Sequence, residues 1–391
     1  MTEAKAVDDP KTYKAAIYDK PGSISTKIVE LSIPEPGHGE VLVRLTHSGV
    51  CGSDLSIMTN AWSTLPFTTA AGQIGGHEGV GIVEKLGIGA DATSVKVGDR
   101  VGIKWATAVC GSCDRCRKGF DGHCTLRKIS GYYTPGTFAE YVLSPANYVT
   151  PIPEKLASAD AAPMLCAGLT SYSALRKCKV KSGEWVVISG AGGGLGISPF
   201  RSQHTPWHID DEAIAKEVKR VTGGLGASAV ILCAGSNKAY GQALPMLSFG
   251  GVLVCVGMLE GQTVPISTAC PGTIAAANAH IIGSTIGSQR EAIEVLDFAA
   301  RGIVKTRIRL EKIDKLDACI LTEDSLELTR ELQYWGTQLW EAGYVATLGL
   351  RLIIEPPARS FSEEIDPNNL GWLVAVSDGN GELANAGVRR V

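Results

Sequence analysis

The sequence predicts an α/β protein built in two parts, an antiparallel β domain followed by a parallel-sheet domain. Three observations carry that prediction. Residues 13–150 break into short strands, among them KAAIY, EVLVRL, GVGIVEKLG, DRVGIKW and FAEYVL, with period-two alternation and Gly or Pro turns between them. That texture belongs to a small antiparallel barrel or sandwich. From about residue 155 the strands become continuous apolar runs, EWVVIS, ASAVILCAG, GGVLVCVGM and AHIIGSTIG, alternating with helical stretches, as in a parallel sheet buried on both faces. The third observation is a tight cysteine cluster at Cys110, Cys113, Cys116 and Cys124.

The second part opens on SADAAPMLCAGLTSYSALRKC, which reads as helix, and then EWVVISGAGGGLG, an apolar strand running into glycines. Glycines there permit a tight turn and close approach of backbone to a pyrophosphate. A helix, a second strand and an acidic residue should follow. Instead, Pro199 and Pro206 oppose a regular helix, and DDEAIAKEVKR reads as a capped helix belonging to a later unit. The expectation is a parallel sheet shortened by about one βαβ unit after Gly196. Near the end, Leu328, Leu332, Trp335 and Leu339 fall on one face of an amphipathic helix, and GWLVAVSDGNG suits a substitute closing strand.

Composition narrows the function. The 391 residues carry a formal net charge of −3, which gives no electrostatic case for nucleic acid or an anionic membrane. No apolar run reaches membrane-spanning length. The opening MTEAKAVDDPKTYK is acidic and lacks a hydrophobic stretch, unlike a secretory signal or transit peptide. Eleven cysteines in such a chain point to a reducing cytoplasm, with thiols free or on metal.

The run CGSCDRCRKGFDGHC has the spacing C-x2-C-x2-C-x7-C. Two-residue gaps let successive thiolates converge on one metal, and a fourth sulfur closes a tetrahedron with no open position. The reading is a structural zinc. Cys51 in SGVCGSD, His77 in GGHEGVG and Cys166 in APMLCAG are scattered. Two thiolates and an imidazole on zinc would leave a fourth position for substrate, yet taken singly each suits a buried structural role equally well.

Together SGVCGSDL, GGHEGVG, VGDRVGIKW, the four-cysteine lobe, APMLCAGLTSY and EWVVISGAGGGLG resemble the zinc-dependent medium-chain alcohol dehydrogenases. The GIKW and LCAGLT wording is most similar to the yeast-type ethanol dehydrogenases of fungi. The resemblance implies a GroES-like catalytic domain over 1–165, a Rossmann-type nucleotide-binding domain over 166–312, incomplete after 196, and an atypical C-terminal segment over 313–391. It implies two zinc ions per chain: a catalytic one on Cys51, His77 and Cys166 with Glu78 beside it, and the structural one. Asp54 would orient the imidazole of His77, Ser53 would accept the alcohol proton, and Trp62 and Trp105 would narrow the substrate pocket. NAD would lie against Gly192, Gly193, Gly194, Leu195 and Gly196, with Val256 and Met258 also in contact. The implied activity interconverts small primary alcohols and aldehydes in a cytoplasmic homo-oligomer, a tetramer by family. Two departures stand out: Gly52 where relatives commonly have Arg or His, and Ser56 where many have a histidine. With the shortened sheet they raise an alternative, a catalytically impaired paralogue or truncated isoform that keeps its zinc sites as a scaffold or binding module.

Overall fold

The computed structural model describes residues 12–181, 184–189, 211–262, 264–324, 344–351 and 373–376. The first domain contains β1 (Thr12–Tyr18), β2 (Thr26–Ser32), β3 (Glu40–Val50), β4 (Gln73–Ile74), β5 (Gly79–Leu86), β6 (Arg100–Ile103), β7 (Ala106–Ala108), β8 (Lys128–Ile129), β9 (Tyr141–Pro145) and β10 (Thr150–Pro151). The second contains β11 (Trp185–Ser189), β12 (Ala227–Leu232), β13 (Leu247–Cys255) and β14 (His280–Gly283). Later in the chain come β15 (Lys305–Lys312), β16 (Tyr344–Arg351) and β17 (Leu373–Val376).

β3 is the spine of the first domain. It pairs antiparallel with β5 and β9, and the sheet runs β10-β6-β5-β3-β16-β15. Val41, Val43 and Leu45 are buried while Arg44 is exposed. Past Leu45 the register with β5 shifts, a bulge that re-aims the strand where it approaches Cys51. Val43, Val80, Ile103, Phe138 and Leu165 share one core with Ala292, Val295 and Leu296 of the helix Gln289–Ala300. The two domains are therefore welded through a common apolar interior, each fully buried large side chain contributing roughly 1.5–3 kcal/mol.

In the second domain the strand order is β14-β13-β12-β11-β17, parallel from β11 through β14. Val187, Val230, Leu232 and Leu253 fill the core on one face, whereas Ile188, Ala229, Ile231 and Val254 fill the other. Successive residues point to opposite faces, so burial of both faces explains the unbroken apolar runs.

β11 and β12 are immediate parallel neighbours, and the helix described between them is Asp211–Val221. A complete doubly wound sheet places its second strand on the other flank of the first. Here β17 takes that flank, antiparallel, with Ile188 opposite Leu373 and Trp185 opposite Val376. Among the described residues, Leu373–Val376 of the GWLVAVSDGNG segment thus supplies an edge strand to β11, as the closing strand read from the sequence anticipated. The predicted helix through Leu328–Leu339 lies outside the described residues. The sequence reading missed β16, although YVATLGLR is rich in strand-favouring residues. β16 pairs along its length with β15 and runs parallel to β3 at Gly49 and Val50, so the chain returns to the first domain beside Cys51.

His47, on β3, is 7% exposed, and its Nδ1 lies 3.0 Å from Thr46 Oγ1. Burial lowers its pKa to about 4, Arg100 adding to the effect and Asp160 opposing it. The unfolded chain binds a proton below about pH 6.5 while the folded chain does not until about pH 4, so this stability is present above 6.5 and drains away as pH falls through that window. Between about pH 7.5 and 5 the loss is of order 2 kcal/mol. Urea unfolding of His47→Gln at both pH values should show a pH dependence smaller by about that amount. An unchanged pH dependence contradicts the assignment.

Candidate active site and metal centres

The helix α1 (Gly52–Met58) starts from Cys51, which is extended at φ −127° and ψ 150°. Asp54 ties this start to a second loop. Its Oδ2 accepts from the Cys51 backbone N–H at 3.0 Å, and its Oδ1 lies 3.2 Å from the Gly76 N–H and 3.0 Å from His77 Nδ1. Asp54 is 1% exposed and His77 fully buried. With Nδ1–H donated to Asp54, the Nε2 lone pair of His77 faces Cys166 Sγ at 3.3 Å. Cys166 comes from a wide helical turn, Met164–Gly168, of the π type that recurs at functional sites. Its Sγ is 4.0 Å from that of Cys51. Glu78 is buried beside them, and one donor atom from each of Cys51, His77, Glu78 and Cys166 lies within 4.8 Å of the others.

Sulfur and nitrogen on a tetrahedral zinc stand about 3.6–3.8 Å apart along an edge, so the donor set matches that ion in both chemistry and spacing. The thiol of Cys51 is held well below its ordinary pKa, chiefly by its hydrogen bond with Cys166 and further by His77, against the opposing effect of burial. Burial alone would lower His77, but the Asp54 carboxylate outweighs it and raises it well above its usual value. Asp54→Asn should therefore weaken zinc binding at this cluster about 10–100-fold in chelator competition, the range for partners that orient a metal ligand. Unchanged affinity would contradict that role.

Backbone space is as constrained as the donors. A Cβ on Gly49 would overlap Glu78 Oε2. Gly49→Ala should destabilise the fold by about 1–3 kcal/mol in denaturant titration, as overpacking does. Around the cluster, Trp105 sets its ring edge-on to His77 at 4.8 Å, and Trp62 meets Trp105 at 6.2 Å. Trp105 is buried and Trp62 half-buried. Ser53 is half-buried on the first turn of α1.

The carboxyl ends of β11, β12 and β13 are close-knit: Cys233 N–H donates to Ser189 O at 3.0 Å, and the Val256 and Gly257 N–H groups donate to Leu232 O at 3.1 and 2.8 Å. Val256 is buried, whereas Met258 is 43% exposed just past the end of β13. Ligands of open parallel sheets bind outside these carboxyl ends, so the arrangement fits a dinucleotide. Gly192, Gly193, Gly194, Leu195 and Gly196 lie outside the described residues. Sequence reading missed Glu260, which hydrogen-bonds Ser56 from 204 positions away; no local spacing could have signalled it.

The four-cysteine lobe forms the second cluster. Its sulfur separations are 4.0 Å for Cys110–Cys116, 3.6 Å for Cys113–Cys116, 3.9 Å for Cys113–Cys124 and 3.5 Å for Cys110–Cys124. A sulfur tetrahedron on zinc has edges of about 3.8 Å. None of these cysteines is in a disulfide. Backbone N–H groups of Cys113, Leu126 and Cys110 point at these sulfurs from 3.3 to 3.4 Å, an environment for thiolate.

Comparison with known proteins agrees with this architecture. Residues 37–154 match the alcohol dehydrogenase GroES-like domain, and residues 204–301 match the zinc-binding dehydrogenase domain. The chain is 50% identical over 344 residues to alcohol dehydrogenase 2 of Emericella nidulans, covering 80% of this chain and 94% of that one. It is 38% identical over 336 residues to an alcohol dehydrogenase of Moraxella sp. strain TAE123, covering 78% and 94%. The structure of acetophenone reductase from Geotrichum candidum in complex with NAD superimposes with a TM-score of 0.66 at 22% identity, covering 88% of this chain and 98% of that one; this likeness concerns the fold. Nothing in these likenesses supports the alternative of an impaired scaffold. Among the described residues no helix is long and apolar enough to cross a membrane. The chain belongs to the zinc-dependent medium-chain alcohol dehydrogenases, a family that works with zinc and NAD.

Proposed function

We propose that this chain interconverts small primary alcohols and their aldehydes. The observation that carries the reading is the convergence of Cys51, His77 and Cys166, with Glu78, beneath two tryptophans. When bound, zinc supplies a Lewis acid that lowers the alcohol pKa, and NAD supplies the hydride acceptor. Cys51, His77 and Cys166 hold the metal, and Asp54 keeps the His77 tautomer that presents Nε2. Glu78 adds a buried carboxylate that serves as an alternate ligand. Ser53 takes the alcohol proton. Trp62 and Trp105 exclude water and leave room for short chains. The carboxyl ends of β11–β13, with Val256 and Met258, receive the nicotinamide side of the cofactor, and the glycines after β11 its pyrophosphate. Cys110, Cys113, Cys116 and Cys124 hold the structural zinc.

The test is paired. Purified protein should carry about two zinc ions per chain and form NADH with ethanol and other short primary alcohols, activity falling as the chain lengthens or branches. Less than one zinc per chain with no alcohol-dependent NADH overturns the reading. The enzyme is also proposed to be a cytoplasmic homo-oligomer, a tetramer as in yeast-type relatives. An uncovered flank supports assembly: the helix Pro271–Ala277 has no buried residue, and Ile281 on β14 is exposed. Light scattering that reports a monomer at working concentration refutes this part.

A further inference from the structure

Oxidation of an alcohol by hydride loss frees one proton per turnover, and the catalytic cluster lies in a buried pocket, so the proton needs a way out. One hydrogen bond spans the two domains next to that pocket. Ser56, on α1 and 4% exposed, donates its hydroxyl to Glu260 Oε1 at 2.5 Å, and the same hydroxyl lies 3.2 Å from Gly52 O. Glu260 follows β13 in the second domain and is exposed. A second contact holds the two segments together, Gly261 N–H to Ala61 O at 3.5 Å. Ser53 and Ser56 are three residues apart on one helix and therefore share a face, about 5–6 Å apart at Cβ.

We propose that Glu260 is the proton-exit residue of this enzyme, reached through Ser56. The inference rests on the alcohol dehydrogenase reading above. The proton given up by the alcohol hydroxyl leaves by way of Ser53 along this helix face and is taken up by Ser56 Oγ. The proton already on Ser56 moves to Glu260 Oε1 in the same step. One O–H bond breaks on the alcohol and one forms on Glu260, Ser53 and Ser56 each exchange one O–H bond for another, no electrons are transferred along the path, and the exposed carboxyl then releases its proton to solvent. Other titratable groups on neighbouring elements are placed differently. Asp54 on α1 is committed to His77 and Cys51, and Asp317, on the helix Leu316–Asp324 packed against α1, accepts from Thr26. Lys238 lies on the helix Asn237–Ala243, whose Asn237 side chain donates to Gln262 O.

Glu260→Gln keeps an oxygen to accept from Ser56 but removes the base. It should lower kcat for alcohol oxidation about tenfold or more, the low end of general-base effects. NADH affinity by fluorescence titration should stay within about twofold, added imidazole should restore much of the rate, and Glu260→Asp should retain most of it. A readout independent of turnover is the proton released when trifluoroethanol, an alcohol that resists oxidation, binds the enzyme–NAD⁺ complex. Its rate, followed with a pH indicator, should slow in Glu260→Gln. Wild-type kcat and wild-type proton release in Glu260→Gln overturn the proposal. So does a loss that imidazole leaves unrestored and that weakened NADH binding matches, because the contact is then only a tether. A wild-type chain that neither oxidises a primary alcohol nor releases a proton on binding trifluoroethanol removes the alcohol dehydrogenase reading itself, an outcome distinct from unchanged turnover and proton release in Glu260→Gln alone.

Discussion

Cys166→Ser is expected to reduce alcohol turnover about a thousandfold or more, the equivalent of ~4 kcal/mol or more of lost Lewis-acid stabilisation. The variant should retain about one zinc per chain, because the four-cysteine cluster is separate. Geometry places Cys166 squarely within the donor set. Its sulfur faces both His77 Nε2 at 3.3 Å and Cys51 Sγ at 4.0 Å, close to the edge lengths of a zinc tetrahedron. Serine is shorter in its bond to Cβ and presents a harder, more basic oxygen, which a borderline-soft ion prefers less than thiolate. Its neighbours cannot close in: Cys51 is fixed by the cap from Asp54, and His77 by the same carboxylate. Glu78 stands close enough to compensate in part for a missing ligand, which bounds the effect on metal content more than on rate. Steady-state kinetics and elemental analysis on the same sample check both halves. Two zinc ions with near-normal kcat would refute the ligand assignment.

Legibility in the sequence followed how local each feature is. The four cysteines could be read from spacing because a single short loop brings them together. The parallel strands could be read because both faces of the sheet are buried and leave no alternation to confuse with the first domain. Cys51, His77 and Cys166 were readable only through resemblance. One follows β3 as the cap of α1, one precedes β5 and one sits in a helical turn, so their meeting is a product of tertiary packing. β16 and the Ser56–Glu260 bond were missed for the same physical reason carried further. β16 is recruited by an edge of β3 lying far back in the chain, and Glu260 finds Ser56 only because two domains share one core. Pro199, Pro206 and the early onset of the helix Asp211–Val221 are the sequence's grounds for expecting a shortened sheet. The sequence could not specify which segment would cover the exposed flank of β11.

Loss of the structural cluster should act on stability and spare chemistry. Cys113→Ala is expected to remove one zinc and lower the apparent thermal midpoint by about 5–10 °C, the effect of ~2–4 kcal/mol in a domain of this size. Structural zinc in isolated small domains is worth more than that, but here the lobe is one part of a larger core. Its influence reaches further than its sulfurs through Asp121. The Asp121 carboxylate accepts from the Tyr148 hydroxyl and, at 2.8 Å, from the backbone N–H of Gln289, the first residue of the helix Gln289–Ala300. Gln289 in turn donates its side-chain amide to Val149 O at 2.9 Å. Gly122 packs so closely that a Cβ there would overlap the Gly287 carbonyl. A loosened lobe thus frees the end of the helix whose Ala292, Val295 and Leu296 complete the shared core. Local protease cutting should begin within 110–124, since an opened loop is the first to be cleaved. At low temperature kcat should remain within about threefold of wild type, because the catalytic cluster keeps all its donors. Calorimetry at one fixed scan rate, limited proteolysis and zinc analysis together test this. An unchanged midpoint with one zinc lost would show that the cluster does not brace the domain interface.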